Sequence, residues 1–152
     1  MEKIIKNALT RCPLFNDVSE QRLEQIVASA KHKLVKFDKK DIYILAGMPY
    51  RHVDIVVEGE MVARMVSLSG KSVEVSRLVV GDLVAPAFIF AKDNLMPVSV
   101  ETEKETTVMR MSKADFVELI DTDPVLRRNF IATLSNIDVF LTKKMRVLSL
   151  FT

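Results

Sequence analysis

The chain has 152 residues, 49% of them apolar, and a formal net charge of +2; this fits one compact domain with a sizeable core and one long helix, and the small charge excess does not by itself point to nucleic acid or a membrane surface. Cys12 is the single cysteine, which excludes an intrachain disulfide and a cysteine-ligated iron–sulfur cluster, so a reduced, cytoplasmic setting is expected. The start, Met1-Glu2-Lys3-Ile4-Ile5-Lys6, lacks a signal-peptide apolar stretch, and no run approaches the ~20 apolar residues of a membrane span.

Residues 2–10 read as a short amphipathic helix, interrupted by Cys12-Pro13-Leu14-Phe15. A second helix follows, with Ser19 as candidate N-cap and Leu23, Ile26, Val27 and Ala30 at helical spacing. From about residue 32 the apolar period changes to two. Short β-branched runs at 33–37, 42–45, 53–57, 61–66, 73–78, 98–100 and 106–111 are separated by turn material that holds Gly47, Gly59, Gly70 and Gly81. Many short strands at this spacing predict an antiparallel sandwich or roll.

Ser112 can cap a helix running to Ile120, and Asp123-Pro124 opens the last one, with Pro in the first turn. The stripe Phe130, Leu134, Ile137, Leu141, Met145 and Leu148 keeps near-heptad spacing to the chain end. Roughly 27 residues make a helix ~40 Å long, more than a small roll can cover. The stripe is therefore expected to be a homodimer interface, although an ordinary core helix would show similar spacing. Phe140, Val147 and Leu150 lie off the stripe.

Specific residues then carry a family resemblance. Cys12-Pro13-Leu14-Phe15, Ala46-Gly47-Met48, Val57-Glu58-Gly59-Glu60, Ser69-Gly70-Lys71, Val80-Gly81-Asp82 and Met111-Ser112-Lys113-Ala114-Asp115-Phe116 stand in the order and spacing of the turns and helix start of the CRP/FNR regulators. Over nearly its whole length the chain resembles their N-terminal cyclic-nucleotide-binding-like sensor region. The resemblance implies a mostly β fold with flanking helices. Residues 1–123 would form an antiparallel double-stranded β-helix (jelly-roll) sensor domain with N-terminal helices, and 124–152 a long dimerisation helix. It also implies a winged helix-turn-helix that binds promoter DNA, expected beyond this chain, and no enzymatic activity.

The family's nucleotide binders carry, after the Gly-Asp turn, a Glu for the ribose hydroxyl and an Arg-Ser pair for the cyclic phosphate. Here Pro86 falls at the Glu position, Met96 at the Arg position and Pro97 at the Ser position. Both prolines also remove backbone donors, and a buried phosphate without a partner is prohibitively costly. Lys92 and Arg110 are the nearest cations that could substitute. No cyclic nucleotide is expected.

An apolar lining takes the place of the phosphate site: Ala85, Ala87, Phe88, Phe90, Met96 and Val98. Met61, Ala63 and Met65 share one strand face, which the family's layout points into the roll. Leu141 and Thr142 align where the long helix touches a nucleotide, with Phe140 and Met145 nearby. The expected ligand pocket is Met61, Ala63, Met65, Ala85, Phe88, Phe90, Met96, Val98, Phe140, Leu141 and Met145.

The stretch 85–98 is similar to the HcpR group, which is associated with nitrosative stress and haem. That likeness implies haem as cofactor, with Met65 and Met145 as candidate iron ligands beside Met61, and His32 and His52 expected at the surface. A degenerate module that only dimerises, or one binding another small apolar effector, is the alternative. A cupin enzyme would need clustered His and carboxylate ligands, and His32 and His52 form no such cluster. Glu101-Thr102-Glu103-Lys104-Glu105 reads as a solvated hairpin.

Overall fold

A computed structural model describes residues 2–149, with side-chain surroundings through residue 146. Two helices open the chain, α1 (Lys3–Arg11) and α2 (Glu20–Ser29), joined through a 3₁₀ turn at Pro13–Phe15. Seven strands follow: β1 (Lys33–Phe37), β2 (Ile42–Ile44), β3 (His52–Glu58), β4 (Met61–Val66), β5 (Ser72–Leu78), β6 (Ser99–Thr102) and β7 (Thr106–Ser112). A 3₁₀ turn at Pro86–Phe88 lies between β5 and β6. The chain continues in α3 (Lys113–Thr122) and α4 (Pro124–Ser149).

The strands form two antiparallel sheets, ordered β1-β7-β3 and β2-β6-β4-β5. The second half of the period-two region thus returns between earlier strands, as a jelly-roll requires. Residues 81–84 run along the free edge of β3. Val56 N–H donates to Asp82 O at 3.0 Å and Val84 N–H to Asp54 O at 2.8 Å. Gly81 enters this segment at φ +95, and a Cβ there would lie 2.6 Å from Arg11 Cβ, so glycine is required for α1 to sit against the turn.

The helix ends are capped where the sequence suggests. Ser19 accepts the Arg22 N–H at 3.1 Å and Ser112 accepts that of Asp115 at 3.0 Å. Asp123 caps α4, accepting from Val125 and Leu126 N–H. The early part of α4 is fixed to the N-terminus by Asn129, whose amide donates to Leu14 O at 2.9 Å and Asn16 O at 2.7 Å.

Two expectations are corrected. Met65 does not face the roll interior; it is 46% exposed. A bulge opposite Val75 shifts the β4–β5 register between Ala63 and Arg64, and β6 pairs β4 no further than Arg64. Beyond that point the hairpin is a two-stranded arm with solvent on both faces, so strand alternation no longer sorts inside from outside. Phe130 is no seam residue: it is 4% exposed and packs on Phe116 inside the protomer. The heptad spacing runs through both a core-facing first half and an exposed second half of α4, and spacing alone does not separate them.

Candidate effector site

The cassette begins where Ala85 adopts a left-handed conformation, φ 43 and ψ 53, before the Pro86–Phe88 turn. Ala85, Phe88 and Val98 are half-buried and pack against the core, while Phe90 is exposed at 41%. Met96 is buried. Its N–H donates to Met48 O at 2.9 Å and its carbonyl accepts from Gly47 N–H at 2.8 Å, so both backbone groups are already bonded to the β2–β3 loop. Met61 and Ala63 are buried on β4 in the same core. Met61, Ala63 and Met96 thus belong to the main hydrophobic core, and Ala85, Phe88 and Val98 pack against it.

Phe140, Leu141 and Met145 do not join them within a protomer. All three are exposed on the outer half of α4, as is Val139. α4 packs chiefly on the Pro13–Phe15 turn, α3 and the Pro86–Phe88 turn, and every residue from Asp138 to Arg146 is exposed. Leu134 leans on the core and Ile137 is half-buried. Leu148 lies outside the residues whose side chains are described.

Phe90 links the cassette to the helices despite its exposure. Its ring stacks on Phe116 of α3 at 6.1 Å and meets Phe130 of α4 edge-on at 5.7 Å. Lys113 Nζ sits 5.3 Å from the Phe90 ring centroid.

Sequence reasoning missed a buried polar group beside this core. Asp54 is fully buried on β3, and Arg110, its cross-strand partner on β7, donates through Nε at 3.0 Å and Nη2 at 2.9 Å. Tyr43 O–H also donates to Asp54, and Tyr50 Oη accepts the Asp54 N–H at 3.2 Å. Burial, and then the negative charge of Asp54 beside them, push both tyrosine hydroxyls well above the ordinary range. A charged residue inside the apolar run Val53-Asp54-Ile55-Val56-Val57 was the available signal. Arg110 is therefore engaged by Asp54, and the cassette's own cation is the exposed Lys92, followed by Asp93.

The histidines stand apart from the cassette. His32 Nδ1 lies 2.8 Å from Ala30 O, and His52 is exposed at the start of β3. Burial of part of the His52 ring, and then Arg110, hold its pKa below the usual value. Among the described residues, no group of three or more His, Cys, Asp or Glu is placed to hold a metal ion, and no helix is long and apolar enough to cross a membrane.

A cleft of about 530 Å³ opens elsewhere, between β1, β2 and the β2–β3 loop, lined in part by Phe37, Ile42, Leu45, Met48, His52 and Arg110.

A search of curated protein sequences finds no match. Solved structures are similar in fold. A transcriptional regulator from Thermotoga maritima superposes with a TM-score of 0.75 at 25% identity, over 83% of this chain and 96% of that one. The catabolite activator protein of Thermus thermophilus gives 0.80 at 16% identity, over 90% of this chain and 63% of that one. The sensor domain of the transcriptional regulator DNR from Pseudomonas aeruginosa gives 0.71 at 17% identity, over 95% and 93%. Residues 34–123, more than half of the chain, match the family model described as the cyclic nucleotide-binding domain. With the two-sheet roll, the trailing helix and this match in agreement, the chain belongs to the cyclic nucleotide-binding domain family.

Proposed function

We propose that this chain is the effector-sensing and dimerisation region of a CRP/FNR-type transcription regulator, and that its effector is an apolar or planar small molecule rather than a cyclic nucleotide. The chemistry of the cassette carries the reading. Met96 stands where a phosphate-binding guanidinium would be required, and its backbone is already bonded to Gly47 and Met48. Pro97 offers no N–H, and Arg110 is paired with Asp54. A phosphate there would lose its water and find no counter-charge.

Dimerisation is supported by the outer half of α4. Val139, Phe140, Leu141 and Met145 are exposed there, and a twofold partner helix would bury them. Such a pairing would also complete the cassette's open side with Leu141 and Met145. DNA would be bound by a helix-turn-helix domain outside this chain.

Haem is the first effector to test, within a reading of nitrosative-stress sensing like that of the HcpR group. The apolar lining suits a macrocycle, and of the candidate thioethers Met145 is exposed on α4 whereas Met61 is fully buried. Bound haem would supply an iron centre for NO. The protein's part is to seat the ring on Phe88 and Phe90 and to pass a displacement of Phe90 to α4 through Phe116 and Phe130.

Three measurements test the proposal. Calorimetry with cAMP and cGMP should show nothing tighter than millimolar, and micromolar binding would overturn the cassette argument. Hemin should develop a Soret band that Met145→Leu shifts. If wild-type protein takes up no hemin, haem is dropped and a different apolar effector or a bare dimerisation module stands. Sedimentation should show a dimer, and a monomer at micromolar concentration would contradict the assembly.

A further inference from the structure

Among the described residues, the cleft between β1, β2 and the β2–β3 loop shares none of the cassette's lining and touches none of α4. We propose that it is a second binding site, which takes a small amphipathic carboxylate. The apolar body of the ligand would lie along Phe37, Ile42, Leu45 and Met48, with its carboxylate at the Arg51 guanidinium and the neutral His52 ring beside it.

Size, walls and charge support this independently. Its volume of about 530 Å³ is that of an ordinary small-molecule pocket. Ile42, Leu45 and Met48 are each more than half exposed, so the walls present apolar surface to water. The other end is cationic. Asp54 pairs Arg110 through Nε and Nη2 at the inner end, so the exposed Arg51 supplies the positive charge of the cleft lining itself. A neighbouring cleft shares His52 and Arg110 and is lined by Lys31 and Lys33; Asp115, on its rim, already accepts a hydrogen bond from Ser112 at 2.8 Å. The positive field at this end therefore exceeds what Asp54 cancels. A guanidinium edge suits the planar carboxylate, and the long apolar walls suit a monoanion with a hydrocarbon or aryl body.

The cleft is also next to the cassette through one loop. Gly47 and Met48 bond the backbone of Met96 on one side, while Leu45 and Met48 line the cleft on the other. A ligand that orders this loop would reach the cassette through those two hydrogen bonds.

The protein carries its own reporter. It has no Trp and two Tyr, and both Tyr43 and Tyr50 line this cleft. Sodium decanoate, kept below micelle formation, should produce a saturable change in tyrosine emission. Decanol should bind about fivefold more weakly, since it lacks the charge that the exposed Arg51 recognises, and inorganic phosphate should give no change. Arg51→Gln combined with His52→Gln should weaken decanoate, and Met48→Asp should abolish the response with an unchanged melting curve. All three positions are exposed, so the fold is retained. Absence of a saturable response, equal binding of decanol, or an undiminished response in Met48→Asp would each overturn the proposal. Hemin spectra and cyclic-nucleotide titrations report on the cassette instead, so either reading can fail alone.

Discussion

Arg22 on α2 reaches across to Asp123, the residue that caps α4, and places Nη2 2.8 Å from its Oδ2. The other carboxylate oxygen accepts the Val125 and Leu126 N–H groups, at 3.1 and 3.2 Å. One side chain thus ties the N-terminal helices to the start of the long helix. Asp123→Ala should cost about 1–3 kcal/mol, combining a lost cap with a lost charge-assisted bond. Arg22→Gln should cost less, up to about 1 kcal/mol, because the Arg22 side chain is half exposed. Urea unfolding at neutral pH measures both.

The same residue gives a pH dependence of defined sign. Burial pushes the Asp123 carboxyl up, but the Arg22 guanidinium and the Leu126 and Val125 N–H groups outweigh it and hold the pKa below the ordinary value of 3.8. A carboxyl depressed on folding stabilises the protein above its unfolded pKa. That contribution disappears as pH falls through the folded value. The stability gap between wild type and Asp123→Asn should therefore be constant near neutrality and shrink below about pH 4. A gap unchanged at pH 3 would show that the ion pair contributes nothing.

The roll was legible because alternation and glycine turns are local signals, and β1, β4, β5 and β7 fall within a residue or two of their predicted limits. Met65 was misread because the bulge and the end of β6 pairing are properties of neighbouring strands, which β4 does not encode. Phe130 was misread because a helical stripe looks the same whether α3 or a second copy covers it. The cassette's departures at Pro86, Met96 and Pro97 stood in the sequence, whereas the Asp54–Arg110 pair depended on a cross-strand register 56 residues apart.

That pair should behave as a unit. Asp54→Ala leaves Arg110 and the Tyr43 hydroxyl without their acceptor, and should cost about 3–5 kcal/mol. Replacing the group together, with Asp54→Leu, Arg110→Met and Tyr43→Phe, should recover most of that loss, since no buried charge is then left alone. Denaturant midpoints of the single and triple variants decide between a coupled group and three independent contacts.

The two halves of α4 should respond differently to substitution. Leu141→Glu and Met145→Glu alter exposed positions, and should leave protomer stability within about 0.5 kcal/mol while shifting sedimentation from dimer to monomer. Phe130→Ala removes a buried ring and should cost about 3–5 kcal/mol. Glu variants that sediment like the wild type would overturn the proposed pairing along α4.

Phe90 offers the sharpest test of whether the cassette is coupled to α4. It contributes little burial of its own, yet it contacts one ring on each of the two C-terminal helices, and Phe116 and Phe130 pack on each other at 5.2 Å. Phe90→Ala removes two ring contacts worth about 0.5–1.5 kcal/mol each, so a loss of about 2 kcal/mol is expected once partial burial is included. The distribution of the effect matters more than its size. A coupling role requires faster hydrogen exchange in the first half of α4 and in α3, with the amides of β3 and β7 unchanged. Phe90→Leu keeps much of the volume but loses the ring geometry, and should show the same pattern more weakly. Uniform acceleration across the roll would mean that Phe90 merely adds to global stability, and the route from cassette to long helix would have to be sought in the hydrogen bonds of Asn129 to Leu14 and Asn16.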